Sequence, residues 1–211
     1  DVIPVSDHFM GSVVTRIMAR EPALEDRGSL VENYVQINDE LRERLDVELR
    51  ALGKESSAEI LWSGAFVQMP AKVVSSFADA RTYMHEGKEI DRQVHLGFDL
   101  ASVARDRVPA ANTGQVVLAK WFGIYGNTVV VDHGLGLMSL YAHLSQIEVS
   151  VGERVERGQQ LGRTGATGLA LGDHLHFTTL IRGIPVNPLE WWDASWINNR
   201  VASKIPALEV N

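Results

Sequence analysis

The sequence predicts a mainly β fold, a small domain of antiparallel strands with an α-helical segment in front of it. Three observations carry that expectation. Of 18 glycines, three fall before residue 58 and fifteen after it. Charge divides at the same place, with twelve acids and seven bases in residues 1–58 against fifteen and thirteen in 59–211. Hydrophobic periodicity also changes there, from steps of three and four to steps of two. The expected division is therefore a helical segment over 1–58, a β domain over 59–193 and a short tail over 194–211.

Taken in order, Met10, Val13, Val14, Ile17 and Met18 mark a short helix over Met10–Arg20, ended by Pro22. Leu30, Tyr34, Ile37, Leu41, Leu45, Leu49 and Leu52 form one apolar stripe on a long helix. Ser29 and Glu32 read as a capping box at its start, and Gly53 as its stop. Glu40 with Arg44, and Asp46 with Arg50, are spaced as i,i+4 ion pairs. The helical pair reads first as a brace packed on the next domain, and second as a regulatory or partner-binding element. From residue 59, the runs Val129–Asp132, Leu137–Leu144, Ile147–Val151 and His174–Leu180 read as strands, with turns near Gly126, Gly134, Gly152 and Gly158. Strands this close, with no helical pattern between them, imply antiparallel pairing. Leu189–Ile197 reads as a short helix whose Trp191, Trp192 and Trp196 pack back on the domain.

Composition removes several function classes. A chain of 211 residues, 45% hydrophobic and 22% charged, can bury a core without disulfides. A formal charge of −7 argues against a nucleic-acid partner, which requires a basic face. The absence of cysteine removes thiolate metal sites and cysteine nucleophiles, and suits an oxidising compartment. No apolar run approaches the ~18 residues of a membrane span. The chain begins with Asp1 rather than Met, as expected of a piece of a longer protein.

Five of the seven histidines lie between positions 95 and 176. His95 and Asp99 would stand ~13 Å apart on a regular strand, so a bend at Gly97 is needed to bring them together. His174 and His176 share one strand face, with Cα atoms ~7 Å apart and Leu175 turned to the core. Alternation along Leu137–Leu144 puts Ser139, Tyr141 and His143 on one polar face, where a site would be. These residues offer two imidazoles and a carboxylate as ligands, with two further imidazoles for proton work, a pattern suited to a catalytic zinc with an open position. No His-Glu-x-x-His helix is present, which excludes a glutamate base of that kind.

The stretches His95-Leu-Gly-Phe-Asp99, Gly126-Asn-Thr-Val-Val-Val-Asp-His133-Gly and Tyr141-Ala-His143-Leu-Ser are followed by Val151-Gly-Glu-Arg-Val-Glu-Arg-Gly158, Gly162-Arg-Thr-Gly-Ala-Thr-Gly168 and Gly172-Asp-His174-Leu-His176-Phe. In this order and spacing, residues from about Gly64 to Pro188 resemble the lysostaphin/LytM-type zinc endopeptidases of bacterial cell walls. The resemblance implies one zinc per chain held by His95, Asp99 and His176, with His143 and His174 as catalytic histidines. His143 is then the general base for a metal-activated water, and His174 polarises the water or stabilises the oxyanion. The substrate implied is the peptide stem of peptidoglycan, at an extracytoplasmic, periplasmic or envelope-bound location. Tyr141 and Asn127 align with positions near the groove.

Departures from the family pattern fall at Ala170-Leu-Gly-Asp173 before the His-x-His, at Thr178 where many members carry Glu, and at Phe77-Ala78 followed by Asp79-Ala-Arg81-Thr-Tyr83. His133 is expected to make a structural hydrogen bond, and His8 and His85 to be surface residues without partners. A lipoyl-type carrier, suggested by Val151–Gln159, fails because no lysine lies between Lys120 and Lys204. The rival reading is a non-catalytic member that binds or activates a cell-wall amidase. A further one is an enzyme held off by its N-terminal helices, which could also meet an envelope or divisome protein, with Asn33, Asn38 or Asp39 reaching the zinc.

Overall fold

The computed structural model describes residues 1–205; the last part of the predicted tail, 206–211, lies outside the described residues. The chain opens with β1 (Val2–Pro4) and α1 (Asp7–Met18). Helix α1 starts earlier than its apolar pattern because Ser6 caps it, accepting from the Phe9 N–H. The long apolar stripe forms α2 (Leu30–Gln36), a π-helical turn (Ile37–Leu41) and α3 (Arg42–Lys54). At its start, Ser29 Oγ accepts from the Glu32 N–H, one half of the expected capping box, while the Glu32 carboxylate accepts from Ser29 Oγ at 2.7 Å rather than from the Ser29 backbone.

Two sequence expectations are corrected here. Gly53 does not stop the helix, which runs on to Lys54. A Cβ at Gly53 would stand 2.1 Å from the carbonyl carbon of Arg182, so glycine is needed for backbone-to-backbone packing. Nor do the i,i+4 pairs form. Glu40 pairs with Arg27 and Arg44 with Glu21, tying the helix to the preceding loop, and Asp46 and Arg50 make no ion pair among the described residues.

The strands that follow are β2 (Lys72–Ser75), β3 (Asp79–His85), β4 (Lys88–His95), β5 (Phe98–Ala101), β6 (Arg107–Pro109), β7 (Gly114–Trp121), β8 (Asn127–Gly134) and β9 (Leu137–Leu144). The series ends with β10 (Gln146–Ile147), β11 (Arg154–Val155), β12 (Gln160–Arg163), β13 (Leu175–Ile181) and β14 (Ile184–Val186). The main sheet runs β11-β7-β8-β9-β13-β5-β2, with β14 also on β13, and all these pairings are antiparallel as expected. The strand expected over Ile147–Val151 shrinks to Gln146–Ile147. One parallel pairing was not foreseen: β1 joins β3 of the β3–β4 hairpin. The single C-terminal helix is in fact two, α4 (Pro188–Trp192) and α5 (Ala194–Arg200), separated by Asp193, whose carboxylate caps the second. No helix among the described residues is long and apolar enough to cross a membrane.

The main sheet is buried on both faces. One face carries Val129, Val131, Tyr141 and Phe177, packed beneath Trp62, Phe66, Trp191 and Trp192. The other carries Leu118, Val130, Met138, Leu140, Ala142 and Leu180, and receives the helical stripe of Tyr34, Ile37, Leu41, Leu45 and Leu49 with Met10, Val13 and Ile17 of α1. Helices and sheet thus share one core. Truncating any of these leucines to alanine would cost about 2–5 kcal/mol, which makes the helical segment part of the folding unit that carries the site.

Candidate functional site

Strand pairing brings the predicted ligands together. His176 lies opposite Asp99 across β13–β5 and opposite Ala142 across β13–β9. Directly opposed residues share a face, so Asp99 and His176 stand on the helix-side face with Ala142. His95 ends β4 and enters by the bend at Gly97. A Cβ there would lie 2.6 Å from both His176 Cε1 and Thr178 Oγ1, so the bend also requires a residue without one. His95 Nε2, His176 Nδ1 and Asp99 Oδ1 stand 3.0 Å from one another in all three pairings.

The outer atoms of the two imidazoles determine what this triangle can hold. His95 Nδ1 is 2.9 Å from the Ser76 carbonyl, which only accepts, so Nδ1 carries the proton and Nε2 presents a lone pair. Thr178 Oγ1 donates to the Leu96 carbonyl at 3.0 Å and therefore accepts from His176 Nε2–H at 2.9 Å. That leaves the His176 Nδ1 lone pair facing inward. Three lone pairs then converge with no proton among them, an arrangement that a cation relieves. Two imidazole nitrogens and one carboxylate oxygen match a three-ligand zinc set with bonds of about 2.0–2.2 Å. Thr178, where many members of the resembled family carry Glu, fixes the tautomer of His176.

Charge around the triangle is consistent with this. Burial pushes the Asp99 carboxyl up, but the surrounding imidazoles of His174, His176 and His95 hold it far below its ordinary range. Burial lowers the His176 pKa to about 4 despite the adjacent Asp99 carboxylate, and the neighbouring His95 adds to the shift. Arg81, on β3, donates from Nη2 to Asp99 Oδ2 at 3.0 Å and to Ser75 Oγ at 2.7 Å. Asp99 therefore offers one oxygen to the triangle and one to Arg81. In the sequence, Arg81 falls only within a departure from a motif. Its role depends on a hairpin folding over β5, which no local pattern signals.

His143 reaches the same cavity by a route that alternation did not foresee. Ser139 and Tyr141 lie beneath the tryptophan-rich layer rather than on an open polar face, and the site is on the opposite side. His143 escapes its expected side because its φ is +62°, a left-handed conformation costing a non-glycine residue about 1–2 kcal/mol. Its Nδ1–H donates to the Thr167 carbonyl at 2.9 Å, leaving the Nε2 lone pair free. Burial, followed by the proximity of His174 and His176, holds the ring well below its ordinary pKa. The rings of His143 and His174 stand 4.9 Å apart, centroid to centroid.

His174 donates from Nδ1 to the Gly172 carbonyl at 2.8 Å, placing Nε2 3.5 Å from Asp99 Oδ1. Burial lowers its pKa, but Asp99 outweighs that and the balance is upward. Asp173 accepts from the Arg105 N–H at 3.1 Å, so it shapes the loop. All five predicted residues line one cavity of about 410 Å³, together with Tyr125 and Arg42.

The remaining expectations resolve as follows. Tyr141 is buried, its hydroxyl accepting from the Ala111 N–H and from Ser139 Oγ, and Asn127 donates to the Leu144 carbonyl; both are structural. His85 is not partnerless, since it meets the Val5 carbonyl and Asp7. Asn33 is engaged by Asp26 and Arg27, and Asn38 by Asp91 and Arg42, while Asp39 is exposed. Neither asparagine bonds to the triangle among the described residues, and Asp39 is not grouped with it.

His133 bridges the Thr113 carbonyl and Ser139 Oγ inside the core, the structural role expected of it. Burial lowers its pKa to about 4, against about 6.5 in an unfolded chain. As pH falls from 6.5 to 4 the unfolded chain takes up the proton first, so stability drops across that window by about 3 kcal/mol and levels off below it. Urea unfolding at pH 7 and 4.5 should show a loss in the parent and a clearly smaller one in His133→Asn, the remainder coming from His143 and His176, which burial also lowers. Equal pH dependence in the two would remove His133 as its source.

Residues 93–188 match the family model described as Peptidase family M23. Peptidoglycan DD-endopeptidase ShyA of Vibrio cholerae is 38% identical over 116 residues, covering 55% of this chain and 26% of that protein. Murein hydrolase activator EnvC of Escherichia coli is 42% identical over 95 residues, covering 45% of this chain and 23% of that one. The chain thus spans about a quarter of the length of the curated relatives it matches. A crystal structure of a zinc containing peptidase from Vibrio cholerae aligns with a TM-score of 0.52 at 30% identity, over 61% of this chain and 39% of that one.

Proposed function

We propose that the chain, whose residues 93–188 match the model of peptidase family M23, is a zinc-dependent endopeptidase hydrolysing peptide cross-links of bacterial peptidoglycan. The observation that carries this reading is the convergence of three lone pairs from His95, Asp99 and His176, each held inward by a hydrogen bond or ion pair on its outer side. Zinc held there would supply Lewis acidity towards the scissile carbonyl and acidify the attacking water. His143 accepts the water's proton at Nε2, its other nitrogen being committed to Thr167. The same proton then passes from His143 to the leaving amine. His174, with Nδ1 fixed on Gly172 and its pKa raised by Asp99, donates from Nε2 to the carbonyl oxygen as it becomes negative. Acting on this polymer requires an extracytoplasmic location.

The similarity to EnvC supports a second reading, a non-catalytic regulator of a cell-wall amidase. The complete ligand and histidine set favours hydrolysis. A D-alanyl–diaminopimelate link is preferred over a glycine bridge, in keeping with the DD-endopeptidase relative. The test is digestion of purified diaminopimelate-type peptidoglycan with zinc supplied, the chain run beside His143→Ala, and products read by mass spectrometry. New amine and carboxyl ends at one bond, absent with the variant, are expected. Intact diaminopimelate-type and glycine-bridged sacculi, with zinc bound, would overturn the enzyme in favour of the regulator.

A further inference from the structure

The wall of the cavity away from the imidazoles is contributed by the N-terminal segment, through Phe9, Tyr34 and Arg42. Arg42 follows the π-helical turn Ile37–Leu41, a feature common at functional sites because it re-aims the residues after it. Asn38 in that turn is fully buried. Its carbonyl accepts from Arg42 Nε at 2.9 Å, its Oδ1 accepts from Arg42 Nη2 at 2.6 Å, and its Nδ2 donates to Asp91 Oδ2 at 2.5 Å. The guanidinium is therefore fixed by a residue that is itself fixed.

Arg42 nevertheless has no carboxylate within ion-pair distance among the described residues. The other charged groups of the cavity are differently placed: Arg81 is paired with Asp99, Asp173 is bonded to the Arg105 N–H, and the Asp1 ammonium is held by the Ala80 carbonyl and Asp79. Two of the five guanidinium N–H groups of Arg42 go to Asn38, which leaves three for a ligand. The buried phenols of Tyr34 and Tyr125 both feel its charge. Asp46, one turn on, feels the charge of Arg42 without reaching ion-pair distance, so a bound carboxylate would gain a direct charge-assisted contact that no group of the described residues makes.

We infer that Arg42 is a specificity-determining residue that binds a free carboxylate of the substrate peptide beside the cleaved bond. This rests on the hydrolase reading and refines its substrate class to peptides that are anionic at that position. The helical segment is then a wall of the substrate groove.

The experiment uses the full chain with zinc and two synthetic cross-linked stem peptides, identical except that the carboxylates flanking the cross-link are free in one and amidated in the other. Values of kcat and KM are measured on the parent, Arg42→Gln and Arg42→Lys, and equilibrium binding on His143→Ala with and without Arg42→Gln. The parent is expected to favour the free carboxylate by roughly tenfold or more, chiefly in KM. Arg42→Gln loses that preference while its hydrolysis of the amidated peptide stays near the parent's, and Arg42→Lys recovers part of it. Thermal unfolding of both variants reports whether the helix has held. Equal treatment of the two peptides by the parent, or an undiminished preference in Arg42→Gln, overturns the inference and leaves the hydrolase standing. Preferential binding without cleavage supports carboxylate recognition and overturns the hydrolase.

Discussion

His143→Ala is expected to keep its zinc and lose hydrolysis by on the order of 10²–10⁴-fold, the usual contribution of a positioned general base. The ring lies outside the ligand triangle and touches it only through neighbouring imidazoles, with its centroid 5.7 Å from that of His176. Its free Nε2 belongs to a ring held neutral by burial, so it can take a proton at ordinary pH. Alanine inherits the same left-handed backbone, so the strain is unchanged and only the acceptor is lost. Metal content by mass spectrometry and turnover on peptidoglycan fragments separate the two properties. Zinc lost together with turnover would mean that His143 is a ligand.

His176→Ala is expected to lose both. It removes one of three donors that stand 3.0 Å apart, and leaves Asp99 and His95 with too few ligands for a closed structural or catalytic set. Stability gives an independent readout. Zinc that binds only the folded chain raises its apparent stability by mass action, so the parent should melt higher with zinc than with chelator. In His176→Ala that difference should vanish, whatever the packing cost of the truncation does to the chelated baseline. A surviving zinc-dependent shift in the variant would show that the metal is held elsewhere.

The convergence of His95, Asp99 and His176 is legible in the sequence because the three lie in short motifs, and the bend at Gly97 has a geometric reason. The sequence also carries the apolar stripe, the Ser29 cap and the packing of the C-terminal tryptophans. Alternation alone puts the site on the wrong face of the sheet. Alternation holds only while every residue stays extended, and His143 does not. The π-helical turn, the parallel pairing of β1 with β3 and the contacts of Gly53 were out of reach for a related reason. Each depends on what a distant segment packs against, so Arg81 and Arg42 came into view only when β3 and α3 were placed beside β5 and β13.

Burial of the main sheet on both faces has a consequence for how such a chain can change over generations. Along β13, Leu175 and Phe177 enter one core, while His176 and Thr178 serve the other side. A point substitution on either side disturbs one layer. Insertion or deletion of a single residue in β13 would exchange the two sets at a stroke, sending an imidazole among the tryptophans and a phenylalanine into the ligand triangle. Variation in length is therefore confined to the turns and loops at the strand ends. There the chain can gain or lose residues, reshaping what it accepts while the frame of the site stays in step.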